Sequence, residues 1–174
     1  MHTIDGLLSV FAQKESKRFK LKVGVFLFLI QDHQILLLRR YNTGIDDGLY
    51  VVPMGAIDGN ETVTEALIRE AAEEANIVLK PENLQITHIM HRLHTMPDGF
   101  SFEQIDIFFN TSDYEGVIEN LEPHKCDELK FYPLNNLPEK IVPFIRHAIN
   151  CTTKGQFFSE FGWEEKLSRS QTTE

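Results

Sequence analysis

The stretch from Gly55 to Ile77, GAIDGNETVTEALIREAAEEANI, constrains this chain more than any other. Thr62 and Glu65 have the spacing of a capping box, in which each side chain satisfies the other's backbone amide, and this starts a helix at about Val63. Val63, Ala66, Leu67 and Ala71 recur at helical spacing as one apolar face. Asn76 suits the left-handed residue that closes a helix. The same helix crowds Arg69, Glu70, Glu73 and Glu74 into little more than one turn. Like charges three and four residues apart repel by about 0.2 to 0.5 kcal/mol per pair, so folding alone gives no reason to gather three carboxylates. Two readings follow. One is a solvated charged face steadied by an Arg-Glu pair. The other is a site for one or two hard cations, Mg²⁺ or Mn²⁺, with Glu70 and Glu74 one turn apart on one face and Glu73 beside them. Arg69 can also reach back to Glu61, which would hold the carboxylates in place.

Around this helix the chain alternates strand-like runs and turns. Lys22 to Gln31 is almost continuously apolar and short, the pattern of a strand buried on both faces. Asp32-His33 makes a tight turn, and Ile35 to Arg39 returns as a second strand that delivers Arg39 and Arg40 to one edge. Tyr41 to Gly48 is a loop by composition. Leu49 to Val52 is a short strand stopped by Pro53. Ile86 to His94 and Phe100 to Asn110 are strands joined by the turn Met96-Pro97-Asp98-Gly99, and Asp127 to Tyr132 is another. From Pro138 the pattern turns helical, with Ile141, Phe144, Ile145, Ala148 and Ile149 on one face and Gly155 as the stop. Residues 1–20 read as an arm or short helix packing on the domain or on a second copy, residues 21–163 as one domain, and residues 164–174 as a disordered polar tail. The apolar FFSEFGW segment either folds back on the domain or forms a dimer surface.

Composition bounds the function. A formal charge of −9 argues against a nucleic-acid groove, since phosphate backbones are bound by clustered Lys and Arg. It leaves room for a phosphorylated small molecule whose charge is met by metal ions. No run of apolar residues reaches membrane-spanning length, and the first ten residues lack the pattern of a signal peptide, so the expected location is cytoplasmic, with no membrane partner. Cys126 and Cys151 are far apart in sequence and read as reduced thiols. His88, His91 and His94 invite a zinc reading, but on a strand His91 points opposite to the other two.

The spacing upstream of the helix adds to these readings. Gly55, five residues, Glu61, seven residues, Arg69-Glu70, then Glu73-Glu74 and Ile77 resembles the Nudix box, G-x5-E-x7-R-E-U-x-E-E-x-G-U, with U an aliphatic residue. The departure is Asn76 in place of a glycine, which is mild because both residues tolerate a positive φ. Gly48, Tyr50, Pro53 and Gly55 resemble the family's approach to the box, with Met54 where a second glycine is usual. The resemblance implies an α/β Nudix α/β/α sandwich, a mixed curved sheet between the box helix and a helix at 138–150. It implies Mg²⁺- or Mn²⁺-dependent hydrolysis of a nucleoside diphosphate linked to another group. Glu70, Glu73, Glu74 and Arg69 would then be catalytic, the three glutamates and the main chain of Met54 and Gly55 would hold metal, and Gly55, Glu61 and Asn76 would be structural. Cys126-Asp127-Glu128 resembles a later segment that brings a further glutamate, making Glu128 a candidate ligand or general base. Candidates for phosphate contact are Arg39, Arg40, Arg92 and Lys125; for stacking on a base, Tyr50, Phe102 and Trp163. Each is equally an ordinary surface or core residue. The substrate expected from the resemblance is a (d)NTP or an oxidised purine nucleotide of the 8-oxo-dGTP type, cleaved to monophosphate and pyrophosphate. An ADP-ribose or nucleotide-sugar pyrophosphatase and a catalytically quiet nucleotide-binding regulator are the alternatives, and a homodimer is a possible assembly.

Overall fold

The computed structural model describes residues 4–96 and 98–164, with side chains from Val10 onward, so the expected disordered tail lies almost entirely outside the described residues. Helix α1 (Ile4–Ser16) is followed by β1 (Lys22–Gln31) and β2 (Gln34–Arg40), then β3 (Tyr50–Val51), β4 (Met54–Ala56) and helix α2 (Val63–Ala75). A short 3₁₀ turn at Pro81–Asn83 leads to β5 (Gln85–Thr95) and β6 (Ser101–Thr111), and β7 (Cys126–Pro133), α3 (Pro143–Thr153) and β8 (Phe158–Phe161) complete the order.

The unbroken apolar run of β1 is explained by its place between two cores. Val25, Leu27 and Leu29 pack with Ala66, Leu67, Ala71 and Ala75 of α2. Phe26 and Phe28, alternating with them, pack with Phe144, Ile145, Ala148 and Ile149 of α3. A strand alternates its side chains between faces, so a helix on each face demands apolar residues at every position. The sheet is mixed: β1 runs parallel to β6, β6 antiparallel to β5, and β5 parallel to β8.

The sheet forks. Asp32 and His33, at φ 48° and 61°, form the two-residue left-handed turn that suits the twist of a hairpin. Yet β1 and β2 pair only next to that turn, through Ile30–Ile35 and Gln31–Gln34. Beyond it β2 pairs with β7 and β3, and β1 with β4 and β6. The chain from Tyr50 to Ala56 crosses this fork, pairing first with β2 and then with β1, with Pro53 at the crossing and its carbonyl accepting from the Leu27 amide at 2.8 Å. Helix α2 therefore starts from a loop fixed at the mouth of the fork.

The capping box of α2 is present in both directions, and Asn76 closes the helix at φ 55° and ψ 35°. Two expectations need correction. The second helix begins at Pro143, not Pro138, because Val142 and Ile141 are held in extended backbone beside Tyr50 and Pro143 takes the first helical position, where its missing amide costs nothing. The run after Val52 continues as strand β4 once past Pro53. Helix α1 lies within the expected arm at 1–20, and its Val10 and Phe11 side chains are exposed. The FFSEFGW segment folds back, as β8, onto the free edge of β5.

Gly162 sets how closely this last segment approaches. It sits at φ +82°, and a Cβ there would lie 2.1 Å from the Leu93 carbonyl oxygen. Gly162→Ala should therefore destabilise the protein by more than about 1 kcal/mol, with amide exchange accelerated at 156–164 and unchanged in β1. Protection at 156–164 equal to that of the parent protein would contradict this.

Candidate active site

Arg69 organises the carboxylates. Its guanidinium donates to both oxygens of Glu61, at 2.9 and 3.2 Å, to Glu70 at 2.7 Å and to the Ala56 carbonyl at 3.1 Å. Glu73 lies 3.4 Å away. Glu61 also accepts from the Asp58 amide at 2.8 Å, which ties the loop ahead of the helix to the same arginine. Glu70 lies directly over Gly55: a Cβ at that position would fall 1.9 Å from the Glu70 carboxyl carbon, so only glycine leaves room for it.

Glu74 points toward the crossing strand, where the Met54 amide donates to it at 2.8 Å. Burial pushes its carboxyl up to about 8, against that hydrogen bond, and the charges of Glu70 and Glu122 add to the rise. Burial also raises Glu70, against the pull of Arg69. Glu70, Glu73 and Glu74 line a groove of about 310 Å³ together with Arg40, Thr43, Glu122 and Lys125. Among the described residues no three carboxylate, His or Cys side chains are gathered at ligating distance, because Glu70 is turned to Arg69 and Glu74 to the Met54 amide. The donor set nonetheless fits a hard divalent cation: three carboxylates of like charge on one groove, two of them driven toward protonation by burial.

Glu122 is a carboxylate of the groove that reading the sequence missed. It reaches the groove from the segment before β7 and pairs with Lys125 at 2.7 Å. Glu128, the residue expected to contribute a further carboxylate, is committed elsewhere. Tyr50 donates to it at 2.6 Å and Tyr132 at 2.9 Å, Lys130 pairs with it, and Arg39 lies 3.5 Å away. The Lys130 and Tyr50 contacts hold its carboxyl down to about 2, and it does not line the groove. Strand alternation is the reason, since Glu128, Lys130 and Tyr132 share one face of β7.

A second cavity, of about 750 Å³, opens between the end of β5, the start of α3 and the segment after β8. Arg92, His94, Phe144 and Phe161 line it. The 41–49 loop borders both openings, with Thr43 on the groove and Asp46 on the cavity. This loop is rigidly held: Arg40 donates to the Ile45 carbonyl at 2.7 Å and to the Thr43 hydroxyl at 3.0 Å, and Asp47 accepts from the Thr43 and Gly44 amides.

The expected phosphate contacts thus divide. Arg40 and Lys125 reach the groove. Arg39 makes a two-pronged pair with Asp127 at 2.7 and 3.0 Å instead. Arg92 is buried on the α3 face, 2.6 Å from Asp106 and 3.8 Å over the Phe144 ring, so it belongs to the second cavity. Of the expected stacking residues, Tyr50 is buried with its hydroxyl on Glu128, Phe102 lies against His94, and Trp163 packs on His91. Phe144 and Phe161 are the aromatic residues of the cavity wall. His88 is buried, with Gln156 and Ser159 on its two ring nitrogens, and His91 lies on the opposite face of β5.

Glu74 makes the metal-free stability pH-dependent. Its folded value of about 8 lies above the 4.5 of an exposed carboxyl, so its contribution is full below pH 4.5 and is lost as pH rises through 8. Chelator-treated Glu74→Gln should lose less stability than the parent protein between about pH 5 and pH 8 in thermal unfolding. Equal losses would show that Glu74 is not the buried titrating group.

Comparison with known proteins places the chain in a family. The NUDIX domain profile matches residues 19–150. The chain is 28% identical over 135 residues to the ADP-ribose pyrophosphatase of Methanocaldococcus jannaschii, covering 75% of each chain. Among solved structures it resembles a MutT NUDIX hydrolase from Burkholderia pseudomallei, with a TM-score of 0.67 at 23% identity over 76% of this chain and 98% of that one. It also resembles a bifunctional NMN adenylyltransferase/ADP ribose pyrophosphatase from Francisella tularensis, with a TM-score of 0.58 at 19% identity over 86% of this chain and 46% of that one. At these identities the two structures carry the fold alone. With the family profile spanning most of the chain and the carboxylate helix in place, this protein belongs to the NUDIX family and is a hydrolase of pyrophosphate bonds.

Proposed function

We propose that the chain cleaves the diphosphate bond of a nucleoside diphosphate joined to a sugar, the ADP-ribose class, with the phosphates in the carboxylate groove and one organic end in the second cavity. The observation that carries this reading is the pair of openings on either side of the 41–49 loop, one acidic and one lined by aromatic residues. The named activity of the archaeal relative supports it.

Glu70, Glu73 and Glu74 are assigned to hold the divalent cation, with Arg69 fixing Glu70 and the loop through Glu61. A bound cation there neutralises phosphate charge and acidifies a water. Glu122 takes the role first considered for Glu128, a carboxylate from outside the helix that ligates or accepts the water's proton. Arg40 and Lys125, the two cationic residues of the groove, face the phosphates. A second reading, a (d)NTP or 8-oxo-dGTP type substrate cleaved to monophosphate and pyrophosphate, draws support from that same pair of cations, which suits a longer phosphate chain.

Purified protein with Mg²⁺ should convert ADP-ribose to AMP and ribose 5-phosphate faster than it converts any nucleoside triphosphate in a panel. Glu74→Gln and Glu122→Gln should each lower kcat by on the order of 100-fold or more. Faster turnover of triphosphates selects the second reading. If no diphosphate compound is turned over faster than by Glu74→Gln, hydrolysis is excluded and a nucleotide-binding regulator takes its place.

A further inference from the structure

The family profile ends at residue 150, yet the larger cavity is closed by residues that come later. Phe161, Gly162 and Glu164 line it, as does Asp46 of the 41–49 loop. This segment is fixed to the sheet. His88 bonds Ser159 at 2.9 Å and the Gln156 carbonyl at 2.8 Å, and Trp163 donates to the His91 carbonyl at 3.2 Å. Gly162 approaches Leu93 more closely than any other residue could. Asp46 is equally fixed, at φ 56° in a loop whose Leu49 amide donates to the Asp46 carbonyl at 3.0 Å.

The chemistry of the wall selects its occupant. Phe144 and Phe161 offer apolar surface. The guanidinium of Arg92 is spent, paired with Asp106 and stacked on Phe144, so it leaves little charge for a phosphate. Asp46 and Glu164 are carboxylates, which repel phosphate and accept hydrogen bonds from hydroxyls with the strength that charge adds.

We propose that the segment Phe161–Glu164 is the sugar-reading wall of this site, in which Glu164 and Asp46 accept hydrogen bonds from the hydroxyls of a ribose and select it over a deoxyribose or a ribose carrying a phosphate. The inference rests on the second cavity receiving an organic end of the substrate, and the segment Phe161–Glu164 lies outside the region the family profile matches.

The test needs no turnover. Trp163 is the only tryptophan of the chain and sits within the segment, so its fluorescence, with calorimetry as a second readout, follows binding of AMP, 2′-deoxy-AMP and adenosine 2′,5′-bisphosphate in the presence of Mg²⁺. AMP should bind about tenfold more tightly than 2′-deoxy-AMP, the size of one hydrogen bond to a charged group, and the bisphosphate should bind more weakly than either. Glu164→Gln should shrink the ribose preference, and Glu164→Lys should improve the bisphosphate relative to AMP. Equal binding of AMP and 2′-deoxy-AMP, an unchanged ratio in Glu164→Gln, or no binding of AMP by either readout would overturn the proposal. Loss of hydrolysis with the ribose preference intact would instead count against the proposed reaction alone.

Discussion

Arg69 is the interaction on which the rest of the site depends. A single guanidinium joins the loop before α2, through Glu61, to the crossing strand, through the Ala56 carbonyl, and to the helix itself, through Glu70. Three carboxylates on one helical turn repel one another, and an arginine on the same turn offsets part of that repulsion while leaving oxygens that face the groove. Burial, with the charges of neighbouring carboxylates adding to it, still drives Glu70 and Glu74 toward protonation.

The forked sheet explains why the groove lies where it does. Because β1 and β2 separate after two pairs, the chain from Tyr50 to Ala56 must cross between them, and it carries the Met54 amide to Glu74 and the bare Gly55 to Glu70. The loop that precedes this crossing, pinned by Arg40 and Asp47, becomes the partition between groove and cavity. One topological feature thus supplies the floor of the carboxylate groove and the wall of its neighbour. The segment after β8 closes the cavity from the far side.

Much of this was legible in the residues. Thr62 with Glu65 and Asn76 are local signals, and they placed both ends of α2 because caps act within one turn. The apolar run of β1 announced burial on both faces. What failed depended on distant contacts. Glu128 and Glu122 are both acids near the start of β7, and only the strand's alternation, with tyrosines from β3 and β7 on one face, assigns Glu128 to structure and leaves Glu122 for the groove. Arg92 looked like any strand arginine until Asp106 and Phe144, from two other elements, met it. The helix start moved from Pro138 to Pro143 because Ile141 is held beside Tyr50, a pairing across 91 positions of chain. Local chemistry was readable; commitments made across the fold were not.

The carboxylate helix fits a divalent cation, and without one its glutamates repel one another. The direct measurement is thermal unfolding of the chelator-treated protein with and without millimolar Mg²⁺ or Mn²⁺, beside Glu74→Gln under the same conditions. A ligand that binds only the folded state stabilises it by mass action, so the Tm of the parent protein should rise and that of the variant should rise much less. An unmoved Tm in the parent protein, or equal shifts in both, would contradict it.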